Sequence, residues 1–129
     1  MLLQHELQIR VRYKETDAMG LLHHANYFVY FEMGRTELLR ANGVNYRDME
    51  AAGLLMVVVK VSCRYRKPIR YDDLITLRTT VTRATAARVE HQYAILREGE
   101  LLAEGESTLA CVDPQGNLQR VPEWMWTER

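Results

Sequence analysis

The chain has 129 residues, enough for one domain with a buried core, and its 17 Lys plus Arg balance 17 Asp plus Glu. That balance gives no electrostatic reason to expect nucleic acid or an anionic membrane as the principal partner. No apolar run is long enough to span a bilayer, and the opening residues lack the apolar stretch and small-residue cleavage site of a secretory leader, so neither is expected, while two cysteines far apart fit the reduced thiols of a cytoplasmic protein.

Residues 6–13 set Leu7, Ile9, Val11 and Tyr13 against Glu6, Gln8, Arg10 and Arg12. This is the period-2 pattern of a half-buried first strand. After a turn at 17–20, Tyr27, Tyr30, Phe31, Leu38 and Ala41 recur at helical spacing and Gly43 supplies a stop, which predicts a helix over 26–42. Glu32 with Arg35 and Glu37 with Arg40 are placed to pair on its solvent face, each pair adding about 0.2–0.5 kcal/mol.

Residues 46–52 form a short helical turn before Gly53, and 54–59 begin a β-prone run. Val59, Val61, Cys63 and Tyr65 then oppose Lys60, Ser62, Arg64 and Arg66 until Pro68 ends the strand. Further strands are predicted over 74–83, 88–97 and 101–112, with a turn at 113–117 leading to a short last strand at 118–121. One strand, a long helix and then consecutive strands on short connections argue for a single α+β domain over residues 1–129, an antiparallel sheet with the helix on one face.

Cys63 and Cys111 match no metal or redox spacing and lie on inward strand faces, as reduced packing thiols do. His91 sits between Val89 and Tyr93 on an apolar face and is expected to be a hydrogen-bonded interior residue, whereas His5 is expected at the surface. No metal or other cofactor is implied.

The chemistry-bearing segment is Tyr13-Lys14-Glu15-Thr16-Asp17-Ala18-Met19-Gly20, followed by His23-His24-Ala25-Asn26-Tyr27. It sets a carboxylate beside a helix start. Read alone, Asp17 and Gly20 describe a turn in which the carboxylate bonds nearby N–H groups and glycine takes positive φ. The same pairing also suits acyl transfer: an Asp carboxylate is ionised at neutral pH, and the open N–H groups of a helix start can hold an oxyanion.

Thr16-Asp17-Ala18, Gly20, His24-Ala25-Asn26-Tyr27, Phe31-Glu32 and Arg35-Thr36-Glu37 resemble the opening of the YbgC / 4-hydroxybenzoyl-CoA thioesterase family. The likeness continues through Tyr65-Arg66-Lys67-Pro68 and Asp72-Asp73-Leu74. The resemblance implies a hotdog fold, with a curved antiparallel sheet wrapped around one long central helix, joined into a dimer or a dimer of dimers. It implies hydrolysis of acyl-CoA, or of an acyl-carrier-protein thioester, with Asp17 as general base or nucleophile and the His24 N–H polarising the carbonyl.

The His24 side chain then contacts Asp17, a water or the thioester, or else caps a backbone carbonyl. Gly20, Asn26 and Tyr27 fall on the family's substrate-binding stretch. Tyr13 matches an aromatic position ahead of the turn, although its alternation favours core packing. His23 stands where this branch carries an aromatic residue and Met19 where it carries a small one, departures that bear on the acyl pocket.

Lys60, Arg64, Arg66, Lys67 and Arg70 form a basic stretch with Tyr65 and Tyr71 interleaved and no acid among them. Part of it suits a solvated strand face, while Arg64 and Lys67 also suit the phosphate groups of CoA. Two other readings share this fold: a hydratase or dehydratase recruiting His24 and Glu32, and a noncatalytic acyl-CoA-binding or regulatory domain.

Overall fold

In the computed structural model, residues 1–128 are described. β1 (Gln4–Arg10) leads through a 3-10 turn (Tyr13–Glu15) to α1 (His24–Ala41) and the short α2 (Tyr46–Ala51). Then follow β2 (Leu55–Tyr65), β3 (Leu74–Ala84), β4 (Val89–Arg97), β5 (Glu100–Val112), β6 (Leu118–Gln119) and a 3-10 turn at Glu123–Met125. The sheet order is β1-β3-β4-β5-β2, every pair antiparallel, with β6 added to the end of β5. α1 packs on one face of this sheet, the hotdog arrangement.

The inward stripe of α1 is Tyr27, Tyr30, Phe31, Gly34 and Leu38. Two glycines let the helix sit close to the strands. A Cβ on Gly34 would come within 2.8 Å of Leu77 Cδ2 and would overlap the Thr79 side chain. One on Gly105 would meet the Phe31 ring at 2.5 Å, and Phe31 uses that space to stack on Tyr93 with ring centroids 4.2 Å apart. The core divides in two along the helix. Val11, Leu22, Tyr30, Ile69 and Ile75 belong to the half nearer the α1 N-terminus, and Leu38, Met49, Val81, Val89 and Met125 to the other. Buried Thr79, His91 and Ser107 also lie within this interior.

Strand and helix boundaries agree with the sequence expectations to within two or three residues, and the departures have local causes. β1 stops at Arg10, and Tyr13 is 77% exposed rather than in the core, because the Arg12 N–H donates to Glu15 Oε1 at 2.8 Å and folds the chain into a 3-10 turn. Val59 is exposed because the β2–β5 register shifts between Val58 and Lys60, leaving it as the extra residue of a bulge. Glu37 pairs with Arg40 as expected, but Arg35 turns inward and donates to the Tyr93 hydroxyl at 3.0 Å.

His91 is interior, yet it lacks the expected hydrogen bond: its Nδ1 is sealed with no partner among the described residues. His5 is half-buried rather than at the surface, with Nδ1 likewise enclosed. Cys111 is fully buried, Cys63 is packed against the core, and both are free thiols. Burial pushes the Cys63 thiol up to about 11. No helix among the described residues is long and apolar enough to cross a membrane.

Candidate active site

The stretch after β1 forms a closed loop. Thr16 and Leu22 make an antiparallel bridge, the Asp17 N–H donates to the Leu21 carbonyl at 2.8 Å, and the Gly20 N–H donates to the Asp17 carbonyl at 3.0 Å. Gly20 has φ of 76°, and nothing lies within 4 Å of where its Cβ would stand, so conformation alone calls for glycine there. Within the loop Asp17 Oδ1 accepts the N–H groups of Met19 at 2.8 Å and Leu21 at 3.2 Å. The turn geometry and an available carboxylate therefore coexist. Oδ1 carries both bonds, and Oδ2 has no partner among the described residues.

The loop is held against the helix start. The His23 N–H donates to the Glu15 carbonyl at 2.9 Å, and the Asn26 side-chain amide donates to the same oxygen at 2.8 Å. Asn26 thus spans from the first turn of α1 back to the 3-10 turn. His23 caps the helix, its Nδ1 accepting the Ala25 N–H at 3.1 Å, while the Asn26 N–H goes to the His23 carbonyl. The His24 N–H is left without a partner among the described residues, an open donor at the positive end of an 18-residue helix. The His24 imidazole stacks on His23 at 4.1 Å rather than reaching Asp17. The His24 carbonyl faces the Tyr65 hydroxyl at 3.4 Å.

Beneath this loop lies a buried carboxylate not singled out from the sequence. Glu15 is 6% exposed; its Oε1 accepts from the Arg12 N–H and the Tyr30 hydroxyl, both at 2.8 Å, and its Oε2 pairs with Arg12 Nη2 at 3.1 Å. Burial alone would raise the Glu15 carboxyl, but these bonds outweigh it and hold the group below the usual carboxylate range. Tyr30 moves the other way, pushed up by burial and by its bond to Glu15. The available signal was the three-residue spacing of Arg12 and Glu15, which here makes one half of a capping box, the Glu15 carboxylate accepting the Arg12 N–H.

The remaining expected site residues separate. Tyr13 lies on the surface with its ring edge-on to Tyr71 at 5.4 Å. Tyr27 is 4% exposed, packs against Tyr65 at 4.6 Å, and is raised to about 12 by burial and its neighbours Cys63 and Tyr65. The basic stretch is acid-free in sequence but not in space. Arg66 pairs with Glu104 at 2.6 Å and Lys67 with Glu100 at 2.6 Å, whereas Arg64 is exposed and has no acidic partner among the described residues. Among the described residues no three His, Cys, Asp or Glu side chains group to hold a metal ion.

Known proteins resemble this chain in sequence and in fold. The chain is 37% identical over 108 residues to the acyl-CoA thioester hydrolase YbgC of Escherichia coli, spanning 82% of this chain and 80% of that one. The crystal structure of a DHNA-CoA thioesterase from Staphylococcus aureus superposes with a TM-score of 0.90 at 30% identity, covering 96% of this chain and 85% of that one. A hypothetical protein of Aquifex aeolicus superposes with a TM-score of 0.89 at 32% identity, covering 93% and 94% of the two chains. The sequence profile of the thioesterase-like superfamily matches residues 11–126. With nearly the whole fold covered, from the end of β1 to the last 3-10 turn, the chain belongs to the thioesterase-like superfamily.

Proposed function

We propose that the protein is an acyl-CoA thioesterase, releasing a carboxylic acid and free CoA, with Asp17 and the His24 N–H as its catalytic groups. The observation that carries this reading is the closed 17–22 loop, which presents a carboxylate with one unengaged oxygen beside a helix start whose first N–H is open. The thioester carbonyl accepts the His24 N–H, and the developing oxyanion lies at the positive end of α1. Asp17 then takes a proton from an attacking water, the C–S bond breaks, and the thiolate leaves with its electron pair. If Asp17 attacks directly instead, the same thiolate leaves an acyl-aspartyl anhydride that water hydrolyses.

Arg64 is suited to a CoA phosphate, being exposed and without an acidic partner among the described residues, whereas Arg66 and Lys67 already face carboxylates. Gly20, Asn26 and Tyr27 serve by shaping and holding the loop and helix start, and Tyr13 with Tyr71 flanks it. The working unit is a homo-oligomer, a dimer or a dimer of dimers. β2 ends the sheet with Val57, Val58 and Val59 exposed at 39, 47 and 65%, an edge that a second copy would cover. A monomeric mass by light scattering at micromolar concentration, with activity retained, would refute the oligomer.

The reading as a whole is tested by thiol release across short, long and aromatic acyl-CoAs, together with one acyl-carrier-protein thioester. Turnover of at least one is expected. Tight acyl-CoA binding with no thiol release from any of them would sink hydrolysis in favour of a binding role.

A further inference from the structure

Beneath the second half of α1 lies a cavity of about 160 Å³ with apolar walls of Leu38, Val81, Leu109 and Met125. Its lining begins on α1 at Glu32, about 12 Å along the axis from His24 at ~1.5 Å per residue, so within one chain it is separate from the Asp17 loop. A space of roughly 150 Å³ with aliphatic walls accommodates benzene, which sets the hydrocarbon it can hold at about six carbons. Met1, 52% exposed, also lines it and leaves one side open to solvent.

One cation lines this apolar space. Arg35 is partly buried, and its Nη1 donates to the Tyr93 hydroxyl at 3.0 Å. A guanidinium carries five N–H donors in a fixed fork and stays charged in proteins. This one forms no ion pair with a carboxylate among the described residues: Glu37 is taken by Arg40, and Glu32 is exposed and does not pair with it. The Tyr93 hydroxyl is shared with Ser107 Oγ, a neutral group that supplies no counter-charge. The Arg35 charge is felt on the far wall, where it adds to burial in pushing the His91 imidazole down to about 3, so that ring is neutral at neutral pH. The Tyr46 hydroxyl and the Asn42 side chain, also on the walls, are engaged by backbone groups of Met56, Leu2 and Leu38. A partly buried charge without a counter-ion is costly, and a planar guanidinium is matched by a carboxylate, which accepts two parallel N–H bonds.

We infer that the cavity binds a free, unbranched monocarboxylate of about six carbons, its head on the Arg35 guanidinium and its chain against Leu38, Val81, Leu109 and Met125. An acyl group still joined to CoA lacks this charge, because its carbonyl belongs to a neutral thioester. A carboxylic acid is what hydrolysis at the Asp17 loop would release, so the cavity is a second, regulatory site for that class of product. The regulatory role rests on the function proposed above, and the binding does not.

Hexanoate, hexanol and hexylammonium are the probes, each titrated into the full chain by calorimetry, with proton–nitrogen NMR of the Arg35 side chain locating the site in the wild type. Hexanoate should bind at least tenfold more tightly than hexanol, and hexylammonium should not bind. Arg35→Met, which keeps the length without the charge, should weaken hexanoate tenfold or more while changing hexanol less than twofold, and Arg35→Lys should fall between. Leu39→Trp, filling the space from a partly exposed wall, should abolish both. Thermal melts separate a lost fold from a lost site, and the three-probe comparison on the wild type needs no variant.

Hexanoate that fails to bind the wild type, or binds it no more tightly than hexanol, overturns the inference. So does a folded Arg35→Met with unchanged hexanoate affinity. In acyl-CoA hydrolysis, hexanoate should alter kcat in the wild type and not in Arg35→Met. No change in kcat at saturating hexanoate, or a purely competitive effect that Arg35→Met abolishes, would overturn the separate regulatory role. A protein with no hydrolytic activity would still report the hexanoate isotherm, so the binding and the proposed function fail separately.

Discussion

The Tyr30 hydroxyl donates to Glu15 Oε1 at 2.8 Å, so a residue two turns into α1 is bonded to the base of the loop that presents Asp17. Glu15→Gln removes the charge from the Arg12 pair and weakens this tie, and a buried hydrogen-bond network of this kind is worth about 1–3 kcal/mol. Urea unfolding should show that loss at neutral pH. Because the folded carboxyl lies below its usual value, the stabilisation is present above the unfolded carboxylate range and is lost as pH falls through the folded value. The difference between wild type and Glu15→Gln should therefore shrink on acidification; a difference that grows would contradict the role given to Glu15.

Asp17→Asn is expected to keep the fold, since an amide oxygen can still accept the Met19 and Leu21 N–H groups that Oδ1 accepts now. It should lower kcat by about a hundredfold or more, because the amide is neither base nor carboxylate nucleophile. Near-normal turnover with an intact melting transition would remove Asp17 from the mechanism.

Arg64→Ala should raise KM for CoA thioesters more than for short pantetheine thioesters, with kcat changed less, since phosphate contacts are remote from the carbonyl. Lys67→Ala should have a smaller effect, because that ammonium is already paired with Glu100. Equal effects on both substrate classes would assign the basic stretch to a solvated strand face.

Gly34→Ala should destabilise the protein by about 1–3 kcal/mol, the usual penalty for overpacking a tight core. Alanine gains about 1 kcal/mol of helix propensity over glycine, but its Cβ meets Leu77 and the stiff, β-branched, fully buried Thr79. A rise in melting temperature would show that α1 can lift from the sheet without loss.

How far the sequence could be read depended on the range of the interaction. Strands β3 to β5 and the inward face of α1 follow from local periodicity, because one side of each is buried and its apolar residues repeat at the period of the element. The Asp17 turn was legible for the same reason, since Asp and Gly three residues apart encode a local hydrogen-bonded loop. Glu15 was not legible as a buried group: it stands among polar neighbours, and its burial comes from Tyr30, one helix away. The partners of Arg66 and Lys67 were equally hidden, because Glu104 and Glu100 arrive on a strand far along the chain. Val59 was misplaced because a bulge shifts the alternation by one residue, and no local pattern announces it.

The strand order also sets a schedule. β3, β4 and β5 are joined by short turns and pair with their immediate successors, but β1 pairs with β3 across the whole of α1, α2 and β2, so that Ile9 meets Ile75. Closing a long loop precedes the reward of the contacts that it makes, which slows non-local strand pairing. During synthesis the segment bearing Asp17 and the His24 amide therefore emerges before the strand that receives β1 exists. The part of the chain proposed to carry the chemistry is made early and completed late.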